Sequence, residues 1–304
     1  MSAEQQHPPH LLRGIMLIML AVFLFSSMDT LAKFMLKRER YPLPPLIWAR
    51  YTVHLLFMLV LLAPRMGLDL LRTKRPGLQI LRGSILVAST AFFFLSLTYL
   101  PLAEAAAITF VAPVLVTALS GPMLGEHVTR RQWAAVTFGF GGVLIIIRPS
   151  GGLLTFAAAF PLITAGLFAF YQILTRKLAG REHPLTTLFF TALVGAVLSS
   201  LTLPFTWQTP TLIQACCMIG MGLLGGFGHF LLIRAVEVAS PTALAPFIYT
   251  QLVWATLLAL LVFGEFPDSI SLMGMLVIVG AGMLAVDWKR MRRRTDTTEQ
   301  AAAN

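Results

Sequence analysis

The sequence predicts an all-α integral membrane protein with ten transmembrane helices, arranged as two inverted five-helix repeats. Three observations lead there. First, 57% of the 304 residues are hydrophobic and only 12% are charged, about half the ~25% charged fraction of a soluble domain. A soluble fold could not hide that much apolar surface, and a disordered chain would not carry it. Second, the apolar residues fall into long runs, each near the ~20 residues that span a bilayer. Third, features of the first half of the chain recur in the second.

The runs, in order, are 14–36, 46–63, 78–98, 102–123, 131–148, 154–175, 185–205, 211–233, 240–263 and 269–288. The first ends in a polar stretch followed by Pro42, Pro44 and Pro45, and the second at Pro64 and Gly67. Pro76 and Gly77 open the third, and Pro101 divides it from the fourth. The fifth stops at Arg148-Pro149-Ser150-Gly151-Gly152, and a basic connection closes the sixth. His183-Pro184, Pro210, Ser240-Pro241 and Pro267 introduce the last four. Proline and glycine in these positions mark turns. A β-barrel would need ~10-residue segments of alternating polarity; continuous runs of twice that length read as helices. Ten runs fill the chain and leave no room for a large soluble domain.

Charge sets the orientation. With the N-terminus in the cytoplasm, sixteen Lys and Arg residues fall in inside segments and four outside, with Lys33, Arg50 and Arg82 in or near spans. This bias places both termini inside. The exception is Lys37-Arg38-Glu39-Arg40, a basic cluster on the outer side. The net charge of +10 is thereby a topological signal, and no nucleic-acid partner is expected. Residues 1–12 form a polar cytoplasmic tail without the basic region and cleavage site of a secretory signal, so the first run is retained. Residues 289–304 form a basic cytoplasmic tail suited to anionic lipid. Cys216 and Cys217 are adjacent in an apolar run, which suits packing and not a disulfide or metal site. No cofactor is implied.

The halves, 13–148 and 154–288, align at an offset of 139. Leu124-Gly125-Glu126 recurs as Phe263-Gly264-Glu265, Pro45-Leu46 as Pro184-Leu185, and Gly141 as Gly280. Five is odd, so two five-span halves have opposite membrane orientation, as in secondary transporters. The stretch Phe92-Phe93-Phe94-Leu95-Ser96-Leu97-Thr98-Tyr99-Leu100-Pro101-Leu102-Ala103-Glu104-Ala105-Ala106 precedes Pro113, Leu124-Gly125-Glu126 and Gly139-Phe140-Gly141-Gly142-Val143-Leu144-Ile145-Ile146. With these motifs the chain resembles the EamA-type branch of the drug/metabolite transporter superfamily over residues 12–288. The resemblance implies a ten-helix carrier of the bacterial inner membrane with a central cavity, often an exporter. Such carriers handle amino acids, riboflavin, S-adenosylmethionine, drugs and opine metallophores.

Ionisable groups at membrane depth are costly and are functional candidates by default. Asp29 and Lys33 share a face of the first helix, and Arg50 and His54 a face of the second. At ~1.5 Å per residue, Asp29 and Arg50 both lie in the outer half of their hairpin. They read either as a structural ion pair, with Lys33 reaching outward, or as a substrate site. In the second case Arg50 receives a carboxylate or phosphate, and Asp29 an amine or a proton. His54 is a packing histidine or a proton relay, and His229 follows the glycines of Gly225-Gly226-Phe227-Gly228. Glu104 opens the fourth span, where the helix dipole favours it, and Glu126 and Glu265 read as parts of helix-terminal turns. Tyr171, Gln172, Tyr249, Gln251 and Trp254 complete the candidates, because an aromatic cavity with a few polar contacts accepts organic molecules.

The expected function is therefore secondary transport of a small organic metabolite by alternating access, in the direction of export, with proton coupling open. The favoured substrate is a zwitterionic amino-acid-derived compound, such as an amino acid or an opine metallophore. The alternative is uptake of riboflavin or another aromatic metabolite. No Walker motif provides ATP drive. An enzyme would need a second deep carboxylate or a metal cluster, and a channel would need rings of charge.

Overall fold

The computed structural model describes residues 8–125, 127–148, 156–178, 180–239 and 241–285. Glu126, Trp288 and the tail from Lys289 lie outside the described residues. Within them the chain is helical, with no strand. In order the helices are α1 (Pro8–Lys37), α2 (Leu43–Met66), α3 (Pro76–Ser96), α4 (Leu102–Thr109), α5 (Ala112–Leu124), α6 (Arg130–Ile147) and α7 (Phe156–Leu178). They continue as α8 (Pro184–Ser200), α9 (Leu203–Thr206), α10 (Leu212–Val238), α11 (Pro241–Ile248), α12 (Thr250–Phe263) and α13 (Ser269–Ala285). A 3-10 turn, Gly67–Leu71, follows α2.

Seven helices among the described residues are long and apolar enough to cross a membrane: Leu11–Lys37, Leu43–Leu61, Pro76–Ser96, Leu102–Leu124, Phe156–Leu178, Leu212–Val238 and Pro246–Phe263. The chain is a multi-pass membrane protein. Two shorter apolar helices, Pro184–Ser200 and Ser269–Leu284, coincide with further predicted runs. The remaining run is α6, whose first two residues are Arg130 and Arg131.

The local chemistry accounts for the helix ends. Thr129 caps α6 and Thr211 caps α10, each with a glutamine three residues on that returns the hydrogen bond; this reciprocal cap satisfies two otherwise orphaned amides. The repeated Gly-Glu has a conformational cause. Gly125 ends α5 and Gly264 ends α12, both at φ 70°, a left-handed geometry that glycine adopts without strain.

The fourth and ninth predicted runs are not continuous helices. The fourth breaks at Phe110–Val111 into α4 and α5, and the ninth breaks at Tyr249 into α11 and α12. Pro113 lies just beyond the first break and Pro246 just before the second. Lacking an N–H, Pro113 cannot bond the Thr109 carbonyl one turn back. The breaks are bridged by tighter bonds, from the Val111 amide to the Ile108 carbonyl at 3.2 Å and from the Tyr249 amide to the Pro246 carbonyl at 3.3 Å.

α1 packs along α10 and α12, α3 along α7 and α8, and α6 along α13. α4 packs against α12, while among the described residues no comparable packing joins α5 to α11. α6 and α13 approach closely, backbone to backbone. A Cβ on Gly142 would stand 2.9 Å from the Gly274 carbonyl oxygen, and one on Gly274 would stand 2.8 Å from that of Gly142.

Candidate functional site

A cavity of about 500 Å³ lies between α1, α2, α3, α7, α10 and the two broken helices. That volume is within the ~300–1,000 Å³ of small-molecule sites. Its polar groups are few. Asp29 comes from α1, Arg50 from α2, Gln172 from α7 and His229 from α10, with Gln251 just after the break at Tyr249. Ser89, Thr90, Thr109, Thr117 and Thr164 add hydroxyls. Phe93, Phe110, Phe168 and Tyr249 form aromatic wall.

Asp29 is 6% exposed. It has neither a hydrogen bond nor an ion pair within 4.0 Å among the described residues. Arg50 is the cation whose field acts on it, but the two do not touch. Arg50 is instead positioned by neutral partners. Its Nη1 donates to Thr90 Oγ1 at 3.0 Å, and its guanidinium lies 5.4 Å from the Tyr51 ring centre and 5.5 Å from that of Phe94. Thr90 donates to the Leu86 carbonyl at 2.9 Å. Its one proton is then used, so Tyr51, 2.8 Å away, donates to it. The arginine is thus held by a threonine and two rings, with no carboxylate among the described residues consuming its charge.

The other candidates sort into liners and neighbours. Gln172, His229, Tyr249 and Gln251 line the cavity with Asp29 and Arg50. His54, Tyr171 and Trp254 stand behind the lining. His54 is buried and stacks on His229, with ring centres 5.8 Å apart and planes at 6°. Gly226 makes room for it, since a Cβ there would meet His54 Cδ2 at 2.8 Å. The glycines of α10 therefore serve close approach by α1 and α2. Trp254 packs edge-on against Phe23 at 5.0 Å, and Tyr171 stacks on Phe168 at 5.6 Å.

Lys33 departs from expectation. It neither reaches outward nor faces the cavity. It is 1% exposed and forms an ion pair with Glu265. It also donates to the Leu100 carbonyl at 3.3 Å and lies 4.9 Å from the Phe263 ring centre. A second cluster sits at the same end of the bundle. Ser271 Oγ donates to Glu104 at 2.9 Å, the Ser271 amide donates to Asp268 at 2.8 Å, and Arg148 pairs with Asp268. Arg148 and the Ser271 amide hold the Asp268 carboxyl down at about 2, below the usual carboxylate range. Stabilisation from this pair is therefore present above ~4 and is lost only as pH falls through about 2. These groups tie α1, α4, α6, α12 and α13 together at the end bearing the α1–α2 connection.

Sequence reasoning passed over Arg82. It is 2% exposed, roughly 9 Å in from the start of α3. Its Nε donates to Thr175 at 3.1 Å, and its terminal nitrogens donate to Thr191 at 2.9 and 2.7 Å and to the Thr187 carbonyl. Nη2 also reaches Tyr171 Oη at 3.3 Å. A guanidinium inside an apolar run was the available signal. Thr90, the anchor of Arg50, had none, because an ordinary threonine in an apolar helix looks like packing.

The comparisons agree with this architecture. The chain is 30% identical over 220 residues to an S-adenosylmethionine uptake transporter of Rickettsia bellii, covering 72% of this chain and 76% of that one. It is 25% identical over 288 residues to a riboflavin transporter of Rhizobium johnstonii, covering 94% and 95%. It is 26% identical over 273 residues to a pseudopaline exporter of Pseudomonas aeruginosa, covering 88% and 94%. A solved crystal structure superimposes with a TM-score of 0.64 at 19% identity, covering 94% of this chain and 98% of the other, and so shares the fold. The EamA-like transporter family model matches twice, over residues 12–148 and 155–286. With a helical membrane bundle around a ligand-sized cavity and a family match in each half, the chain belongs to the EamA-like transporter family.

Proposed function

We propose that the chain is a secondary carrier that moves a zwitterionic, amino-acid-derived metabolite across the bacterial inner membrane by alternating access. The observation that carries this reading is Asp29, a buried carboxylate facing a cavity without a partner, opposite an arginine also free of carboxylates. A buried charge is tolerated when something pairs with it. A zwitterion supplies both complements, its ammonium to Asp29 and its carboxylate to the planar fork of Arg50. In the empty carrier a proton on Asp29 serves the first need, which links transport to protons.

The alternation follows from two inverted halves of five spans each, 13–148 and 154–288, with both termini in the cytoplasm. The family model matches each half separately, and the halves meet α1 on α10 and α3 on α7, reciprocal contacts of the kind a pseudo-twofold relation generates. With α4 packed on α12 and ionic links tying that end, the cavity faces the cytoplasm. The outward-facing state exchanges this packing for α5 on α11. Export is the expected direction. The named relatives include both uptake carriers and an exporter, so net flux follows the imposed gradients. A second reading, transport of a flat aromatic metabolite, is favoured by the Phe93, Phe110, Phe168 and Tyr249 walls.

Proteoliposomes containing the purified protein test this with labelled amino acids, S-adenosylmethionine, an opine metallophore and riboflavin. Saturable flux of at least one zwitterion is expected. It should fall about tenfold or more in Asp29→Asn and in Arg50→Gln, the scale of losing a charge-assisted bond. Wild-type flux in both variants, each inserted normally, would overturn the assignment. Flux of riboflavin alone would select the aromatic reading.

A further inference from the structure

We propose that Phe110 and Tyr249 form an aromatic clamp that selects substrates bearing a flat ring, with Gly282 as the notch that fixes the clamp's position. This rests on the carrier reading above and extends it to the shape of the substrate.

Both rings stand at interruptions of their helices. Phe110 follows the end of α4, and Tyr249 lies between α11 and α12. They are 139 positions apart, the offset at which Gly125 meets Gly264, so they hold equivalent places in the two halves. Their centres are 5.4 Å apart with planes at 44°. This is within aromatic contact range, and the rings are neither stacked nor edge-on. Both line the cavity, so a substrate ring there meets the pair from the cavity side. Asp29 and Arg50 can satisfy the charged part of a zwitterion, but nothing in that pair distinguishes a substrate with a ring from one without. The clamp does.

Gly282 explains why Tyr249 sits where it does. A Cβ on Gly282 would lie 1.5 Å from Tyr249 Oη and 2.1 Å from Cζ. The hydroxyl end of the ring occupies space that only glycine leaves. Any other residue there displaces Tyr249. Its backbone lies at the helix break, where the Tyr249 amide donates to the Pro246 carbonyl at 3.3 Å and the Tyr249 carbonyl accepts from the Leu252 amide at 3.0 Å, so displacement falls on the side chain.

Competition binding to the purified full chain tests the clamp with three probes: S-adenosylmethionine and riboflavin, which carry flat rings, and methionine, which does not. The wild type should favour a ring-bearing probe over methionine. Phe110→Ala and Tyr249→Ala should each cut that preference about tenfold, while Tyr249→Phe should retain it. Gly282→Ala should weaken the ring-bearing probe, and Gly282→Ala/Tyr249→Ala should bind it no worse than Tyr249→Ala alone. Monodisperse gel filtration and that double variant separate displacement of the ring from misfolding. An unchanged preference in both alanine variants overturns the clamp, as does a Gly282→Ala defect that persists in full without the Tyr249 ring. A wild type that prefers methionine also overturns it. Failure of all three probes to bind the wild type removes the carrier reading of this cavity, and the clamp falls with it.

Discussion

At the scale of single residues, charge in an apolar run was legible and its destination was not. Asp29 and Arg50 stand out because hydrocarbon excludes such groups, and both line the cavity. Lys33, one turn from Asp29, sends its ammonium away to Glu265, 232 positions along the chain; no local pattern encodes a tertiary partner. Tyr171 and Trp254 were recognisable as deep aromatics, but the rotation that puts them behind the lining comes from packing on Arg82 and Phe23. Arg82 shows how much depends on side-chain shape. Its planar fork reaches Thr175 on α7 and both Thr187 and Thr191 on α8. Arg82→Lys keeps the charge but cannot span the two helices. Loss of one or two buried bonds costs about 1–3 kcal/mol, so detergent-solubilised Arg82→Lys should unfold several degrees below the wild type in a thermal shift assay. An unchanged midpoint would mean that the fork adds nothing to the α3–α7–α8 contact.

At the scale of elements, run lengths and proline punctuation located the helices, because periodic hydrophobicity and missing amides are local properties. The breaks within the fourth and ninth runs were hidden, since Phe110 and Tyr249 are apolar enough to continue a hydropathy plot without interruption. What the breaks separate is a well-packed pair, α4 and α12, from α5 and α11, which among the described residues pack chiefly on other helices. The Lys33–Glu265 pair lies at the packed end, tying α1 to the residue after Gly264. Glu265→Gln leaves a buried ammonium without its paired carboxylate, facing neutral groups: the new amide oxygen, the Leu100 carbonyl and the Phe263 ring. Stranding a buried charge costs about 3–5 kcal/mol; with Glu265 35% exposed, the lower end of that range or less is expected. A lowered thermal midpoint in Glu265→Gln, restored in Lys33→Met/Glu265→Gln, is the predicted pattern. A midpoint equal to the wild type in the single variant would show that the link carries no load.

At the scale of the whole molecule, the Lys and Arg bias predicts an orientation and the motifs recurring between the halves predict a symmetry. With both native cysteines replaced by serine, a cysteine at Thr129 should react with a membrane-impermeant maleimide only from the cytoplasmic side. One at Gln208 should react only from the opposite side, because the two exposed positions lie at opposite ends of the bundle in a positive-inside topology. Labelling in the reverse sense would invert the assignment and put the Lys33–Glu265 end in the cytoplasm. Whatever the direction, movement in such a protein is relative, and measuring it needs a part that stays still. The close contact of Gly142 with Gly274 makes α6 and α13 the expected fixed part. Probes on the exposed faces of α6 and α13, at Phe138 and Leu276, are therefore expected to keep their separation during transport, and a change in it would show that this pair moves. With that separation constant, the pair serves as a ruler against which the stroke of every other helix can be read.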